Sequence, residues 1–117
     1  MARDNLELIQ GTLDVLVLKA LIFGPLHGYA VARWIRDTTD GTLEVEEGAL
    51  YTALHRLEKR RWLTSDWGLS ENNRRAKYYL LTDDGRKQLA AKEKSWMRYA
   101  EAVFKVLRAA EARSRNA

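Results

Sequence analysis

Hydrogen-bonding and cationic side chains recur at three- and four-residue spacing within residues 51–59, and a second group follows within residues 73–77. Side chains of these types donate to phosphate oxygens and read the edges of nucleic-acid bases. They are Tyr51, Thr52, His55, Arg56, Lys59, Asn73, Arg74, Arg75 and Lys77. We interpret them as candidate nucleic-acid contacts; the alternative is a basic face that only solvent touches.

Neither histidine has the neighbours that catalysis or metal binding requires. His27 and His55 have no second His or Cys at ligand spacing, and the chain contains no cysteine. Glu46 and Glu47 suit a helix N-terminus better than an acid–base pair. The sequence contains no phosphate-binding glycine loop and no nucleophile elbow. We therefore expect no enzymatic activity, no metal and no cofactor.

Charge is distributed unevenly along the 117 residues. Residues 1–50 contain four basic and eight acidic side chains, whereas residues 51–117 contain sixteen and eight. This asymmetry favours a polyanion such as nucleic acid as the partner of the second half. The length predicts one domain, and the longest uncharged run is too short to span a membrane. Because Asp4 and Glu7 do not suit a signal peptide, we expect a soluble, cytoplasmic protein.

Apolar periodicity predicts three helices, at residues 12–23, 28–39 and 46–60. Thr12 or Asn5 is the predicted cap of the first helix, and Tyr29 is predicted to face inward on the second. The buried stripe of the third helix leaves the polar residues of 51–59 on its outer face. The alternating segment at residues 43–45 predicts a short strand.

Residues 62–67 and 74–81 predict a β-hairpin whose loop carries Asn72, Asn73, Arg74 and Arg75. Thr82 then caps a long helix. Three helices followed by a hairpin is the order of a winged helix-turn-helix, a mainly α (α+β) fold. In that fold the third helix enters the major groove and the hairpin, or wing, reaches phosphates or the minor groove. We divide the chain into a DNA-binding domain at 1–82, a dimerisation helix at 83–112 and a frayed tail at 113–117.

Apolar residues recur every seven positions along the last helix, with further apolar side chains between them. So long a one-sided stripe predicts pairing with a second copy of the chain, although folding back on the first helix is the alternative. The predicted dimer contacts are Leu89, Trp96, Tyr99, Ala100, Val103, Val106 and Leu107, with Ala110 continuing the stripe.

Six short blocks between residues 11 and 86 resemble the PadR-like transcriptional regulators. They include the residues 24–29 (Gly-Pro-Leu-His-Gly-Tyr), 45–51, 54–60 and 73–79. The resemblance implies a homodimeric repressor with one dimerisation helix per chain, bound to a pseudo-palindromic operator and released in many members by a small molecule. The contact roles of Tyr51, Arg74 and Arg75 carry over directly.

Three residues depart from the pattern of the family. Ala49 and Thr52 stand where Ser or Thr and Pro are common, so base preference is expected to differ. Arg61 stands where Gly usually follows the third helix. If its backbone is left-handed, the side chain costs about 1 kcal/mol.

Trp96 lies in the middle of the apolar stripe, where the multidrug-binding branch of the family has a similarly placed Trp that stacks on flat drugs. The resemblance implies a planar aromatic effector at Trp96, with Val15, Leu18 and Lys19 of the first helix as further lining candidates. The alternative for Trp96 is ordinary core packing. A different functional class is also open: winged helices serve as protein-interaction modules that do not recognise a DNA sequence.

Overall fold

The computed structural model describes the backbone of residues 10–116 and the side chains of residues 11–109. This range contains four helices, α1 (Gln10–Ala20), α2 (Gly28–Thr38), α3 (Glu47–Lys59) and α4 (Asp83–Asn116), and three strands, β1 (Leu26–His27), β2 (Leu63–Leu69) and β3 (Arg75–Leu81). The predicted winged helix-turn-helix is therefore confirmed. Asn5 lies outside the described residues, and Thr12 lies inside α1 and is not its cap.

The three strands form an antiparallel sheet in the order β1-β3-β2. The hairpin pairs Leu63 with Leu81 at its base and Leu69 with Arg75 near its tip, so β2 extends through two residues predicted to lie in the turn. The free edge of β3 pairs with β1, not with residues 43–45. The predicted strand at 43–45 is wrong because Leu43 and Val45 pack against the core without a strand to pair with.

The core lies between α1, the inner faces of α2 and α3, and the base of the hairpin. Its fully buried side chains include Leu18, Leu21, Ile35, Leu54, Leu57 and Leu63. The predicted inner stripe of α3 is confirmed. Two predictions fail here: Leu18 is wholly buried and cannot line an effector site, and Tyr29 is 62% exposed. Leu18 is buried because neighbouring elements cover α1 on several sides, so this helix has no clear polar face.

A tight junction joins α3 to the wing and the wing to α4. Arg61 has φ 65°, which confirms the left-handed position. A side chain in this conformation is expected to cost about 1 kcal/mol. The hydroxyl of Thr82 donates to the Arg61 carbonyl at 2.7 Å and accepts from the Gly85 N–H at 2.9 Å, which confirms Thr82 as the cap of α4. A Cβ at Gly85 would lie 2.0 Å from the Trp62 carbonyl oxygen, so this close approach requires glycine.

The first two turns of α4 belong to the domain core, whereas its later turns leave the core. Leu89 is 2% exposed and packs with α1 and the sheet, so its assignment to the dimer contacts is wrong. Further along, the apolar side chains are open to solvent over the turns that follow. The helix runs to Asn116, through most of the segment predicted to fray, and the side chain of Ala110 lies outside the described residues. Within residues 10–116, no helix combines the length and apolarity needed to cross a membrane.

Candidate nucleic-acid interface

One face of α3 presents four of the five predicted contact side chains. Tyr51, Thr52, His55 and Lys59 are exposed, because they lie opposite the stripe that packs on α1. Phenol, hydroxyl, imidazole and ammonium groups are thereby aligned along about two turns of helix. This set can donate to phosphates and to base edges in a groove wide enough to admit α3.

Tyr51 is positioned by the start of α2. The ring lies so close to Gly28 that an added Cβ would be 2.6 Å from the phenolic oxygen and 2.8 Å from two ring carbons. Glycine at this position therefore allows Tyr51 to lie flat against α2 with 43% of its surface exposed. Gly28, which makes this contact with Tyr51, lies in the His27-Gly28-Tyr29 part of a block that resembles the family.

Arg56 does not lie on the outer face, and that prediction is corrected. Its guanidinium forms an ion pair with Asp14 of α1, whose side chain is 8% exposed. The Arg56 Nε is buried with no hydrogen-bond partner among the described residues. Position 56 lies beside Leu57, at the border of the buried stripe. A side chain as long as arginine can therefore reach α1 from this position. Arg56 therefore joins α1 to α3.

The wing loop is closed by a short turn that leaves its arginines exposed. The Ser70 N–H donates to the Arg74 carbonyl and the Asn73 N–H donates to the Ser70 carbonyl, both at 2.8 Å. Asn73 has φ 58°, a conformation that Asn tolerates better than most residues. Arg74 and Arg75 are exposed, and the Arg75 guanidinium lies 4.7 Å from the centre of the Trp67 ring. Trp67 of β2 supports Arg75 in this way.

Lys77 is held nearer to the body of the protein. Its ammonium lies 3.4 Å from a carboxylate oxygen of Glu58, and the Ser65 hydroxyl donates to the other Glu58 oxygen. The Ser65 hydrogen bond, with the nearby Lys77 charge, holds the pKa of Glu58 below its ordinary value despite partial burial. Burial raises the pKa of the neighbouring Tyr79 phenol. These contacts join α3 to both strands of the wing.

A cleft of about 840 Å³ separates the wing from the start of α2 and α3. It brings together Tyr51, Arg74, Arg75 and Lys77 from the predicted set. It also contains Arg33 and Glu71, which the sequence did not assign to the site, and the exposed side chain of Tyr29, whose hydroxyl the sequence left open as a phosphate contact. Arg33 lies four residues after Tyr29 and therefore on the same face of α2. This spacing in the sequence could have placed Arg33 beside Tyr29.

The predicted effector residues lie along the contact between α1 and α4. The indole N–H of Trp96 donates to the Thr12 hydroxyl at 3.0 Å, and 40% of Trp96 remains exposed. The ammonium nitrogen of Lys19 lies 3.3 Å from a carboxylate oxygen of Glu93 on α4. Val15, four residues before Lys19 on α1, is half-buried. The predicted dimer residues Tyr99, Val103, Val106 and Leu107 are exposed, and Ala100 is half-buried.

Comparison with known proteins gives consistent matches over this arrangement. A solved transcriptional regulator from Clostridium thermocellum is 34% identical, with a TM-score of 0.75, and the match covers 83% of this chain and 94% of that one. A PadR family transcription regulator from Clostridium difficile is 28% identical, with a TM-score of 0.70 and coverage of 81% and 97%. An uncharacterised protein of Lysinibacillus sphaericus is 27% identical over 83% of this chain and 89% of its own length.

The family sequence model of the transcriptional regulator PadR-like family matches residues 17–91 of this chain. That range begins in α1, includes α2, α3 and the wing, and ends in the first turns of α4. It therefore contains all the elements that build the cleft and the exposed face of α3. Since the match covers more than half of the chain, the protein belongs to the PadR-like family of transcriptional regulators.

Proposed function

We propose that this regulator is a homodimeric, cytoplasmic repressor that binds a pseudo-palindromic DNA operator. The main supporting observation is that Tyr51, on the exposed face of α3, lines the same cleft as the exposed wing arginines Arg74 and Arg75. Each subunit inserts α3 into a major groove while its wing follows the adjacent backbone. The direct contacts are Tyr51, Thr52, His55, Lys59, Asn73, Arg74 and Arg75, whereas Arg56 and Lys77 orient α3 and the wing through their ion pairs.

Dimerisation is supported by the apolar strip on the outer half of α4. Tyr99, Val106 and Leu107 are each more than 60% exposed, an unusual exposure for such side chains on one helix face. In the dimer, α4 of the second copy covers these side chains, because its own apolar residues recur with the same seven-residue spacing. Two-fold symmetry then places two copies of α3 on half-sites of a pseudo-palindrome.

The first experiment is fluorescence anisotropy with duplex DNA from upstream of the protein's own gene, repeated across salt concentrations, with random duplex as the control. We expect operator-selective binding with a steep salt dependence. Arg74→Ala should reduce the salt slope by about 1, because one phosphate contact is lost. Arg98→Ala, an exposed arginine of α4, is the matched control and should leave the slope unchanged.

The alternative, a protein-interaction module, predicts a different result. Binding to its partner would vary little with salt, and the upstream duplex would bind no better than random duplex. Selectivity together with an Arg74-dependent slope supports an operator-binding regulator, and the absence of both contradicts it.

We further propose that a planar aromatic effector binds beside Trp96 in the dimer. Support comes from the exposed part of the indole, its fixed orientation on Thr12 and the apolar strip that continues from it. Val15 and Lys19 border the same α1–α4 contact, whereas Leu18 is excluded by its burial. A planar aromatic dye should quench tryptophan fluorescence in the wild-type protein and not in Trp96→Ala. Equal quenching in both proteins would contradict the site.

A further inference from the structure

Glu71 places a carboxylate inside the basic cleft. One of its oxygens lies 3.9 Å from a terminal guanidinium nitrogen of Arg33 and the other lies 3.7 Å from Nε2 of His27. Among the described residues that line the cleft, Glu71 is the only acidic one, and it shares the space with four basic side chains. The Glu71 carboxylate thereby links the wing loop to Arg33 of α2.

The surroundings of Arg33 favour an anion. Its guanidinium lies 5.4 Å from the centre of the Tyr29 ring, and both side chains keep a large exposed surface. Nδ1 of His27 accepts from the Ala30 N–H, so the proton of the neutral imidazole is on Nε2, which faces Glu71. A guanidinium, a phenol and an imidazole N–H are the donors that phosphate oxygens use.

The contact with Glu71 is easily replaced. Both of its distances are long for charge-assisted hydrogen bonds, and the carboxylate is 68% exposed. Exposed ion pairs of this kind contribute little and weaken with salt. A phosphate of bound DNA that passes between α2 and the wing meets Arg33 at the position that this carboxylate now occupies.

We propose that Glu71 is an internal substitute for a DNA phosphate: it pairs with Arg33 across the cleft in the free protein, and a backbone phosphate displaces it from Arg33. Arg33 and Tyr29 of α2 then become backbone contacts. The inference rests on the proposed DNA binding and adds a site to it. It predicts that Glu71 opposes binding and that its effect depends on Arg33.

The test compares four variants with wild type by anisotropy on the upstream duplex at several salt concentrations and constant pH. Glu71→Gln should bind about threefold more tightly at low salt. Arg33→Ala should bind about fivefold more weakly, with a salt slope reduced by about 0.9. Glu101→Gln and Arg98→Ala make the same chemical changes at exposed positions of α4 and should match wild type. Circular dichroism melts confirm that each variant is folded.

The double variant Glu71→Gln/Arg33→Ala isolates the displacement itself. If Glu71 acts by occupying Arg33, the double variant should bind like Arg33→Ala alone, because no guanidinium remains to be released. A gain from Glu71→Gln that is undiminished without Arg33 would overturn the displacement. Variants of Glu71 and Arg33 that behave like their α4 controls would overturn the whole inference while DNA binding stands. If wild type itself does not bind the duplex, the proposed function fails together with the inference.

Discussion

Asp14 is a buried carboxylate on α1, and its partner is the guanidinium of Arg56 on α3. Removing one member of a buried ion pair leaves the other charge without compensation, which costs more than the pair contributes. Asp14→Ala should therefore lower the free energy of unfolding by about 3 kcal/mol, measured by urea denaturation. Asp37→Ala removes an exposed carboxylate from its pair with Arg36 and should cost less than about 1 kcal/mol. Equal losses in the two variants would show that Asp14 has no special role.

Gly28 controls the position of Tyr51 and has little influence on the core. A Cβ at Gly28 meets the end of the Tyr51 side chain, which can rotate away, so the fold should tolerate Gly28→Ala. The phenol would then leave its place on the exposed face of α3. We expect operator affinity to fall by about tenfold, or about 1.4 kcal/mol, which is within the range for one lost base contact.

Gly48→Ala is the control for this change. It adds the same methyl group within α3, where the nearest atom is a flexible oxygen of Glu46 at 3.3 Å. Its affinity for the operator should stay near wild type. If Gly28→Ala also binds normally while its melting temperature is unchanged, Tyr51 does not contact DNA in the pose that the structure shows.

At the scale of elements, Glu58 joins α3 to the wing, because it accepts a hydrogen bond from Ser65 of β2 and forms an ion pair with Lys77 of β3. These contacts lower the pKa of Glu58 in the folded protein from its ordinary value of 4.5. A carboxyl group with a lowered folded pKa stabilises the fold above its unfolded pKa and loses that contribution as the pH falls through the folded pKa.

Ser65→Ala removes the largest of these contributions. At pH 7 it should lower the free energy of unfolding by about 1 kcal/mol, as expected for a hydrogen bond to a charged acceptor near the surface. The difference from wild type should shrink as the pH falls below about 4.5 and Glu58 is protonated in both proteins. Thr64→Ala, on the opposite and exposed face of β2, should show no such pH dependence. A pH-independent difference for Ser65→Ala would contradict the role of the ionised carboxylate.

The sequence predicted the helices, the hairpin and the Thr82 cap because each has a local signal. Periodicity marks α3, alternating and aromatic residues mark β2 and β3, and a hydroxyl before two acidic residues marks the start of α4. Strand β1 was missed because a segment of two residues is too short to show a periodic pattern. It forms a strand only because the free edge of β3 pairs with it. Arg56 and Tyr29 were misplaced because both lie at the border of a helical stripe, where neighbouring elements decide burial. Glu71 could not be assigned, since only the folded wing brings it to Arg33.

At the scale of the whole molecule, one continuous apolar period on α4 extends from the domain core to the proposed dimer strip. Its first turns place Leu89 in the domain core, and the same stripe continues into solvent at Val103 and Leu107. The molecule is accordingly elongated, with extents of 63 × 38 × 21 Å, because the end of α4 projects from the domain. Heptad spacing alone cannot show where contact within the chain ends and the proposed contact with a second copy begins, which explains the wrong assignment of Leu89.

Val103 lies at the centre of the proposed dimer strip and is 37% exposed in the single chain. Val103→Glu would bury an unpaired carboxylate between two copies of α4, and the cost of that burial exceeds what the strip gains from apolar contact. Light scattering coupled to size exclusion should then report 13.5 kDa for the variant and twice that mass for wild type. Because Val103 contributes nothing to the domain core, the melting temperature of the winged domain should change little at a concentration where both proteins are monomeric.

The matched control is Lys105→Glu, which introduces the same carboxylate on the opposite side of α4, about 200° around the helix from Val103. It should remain a dimer. Operator binding should follow the mass: a monomer presents one α3 to one half-site, so Val103→Glu should lose most of its operator affinity while Lys105→Glu retains it. A Val103→Glu protein that keeps the dimer mass would place the dimer contact elsewhere on the molecule, and a monomer that binds the operator as tightly as wild type would remove the need for two-fold recognition.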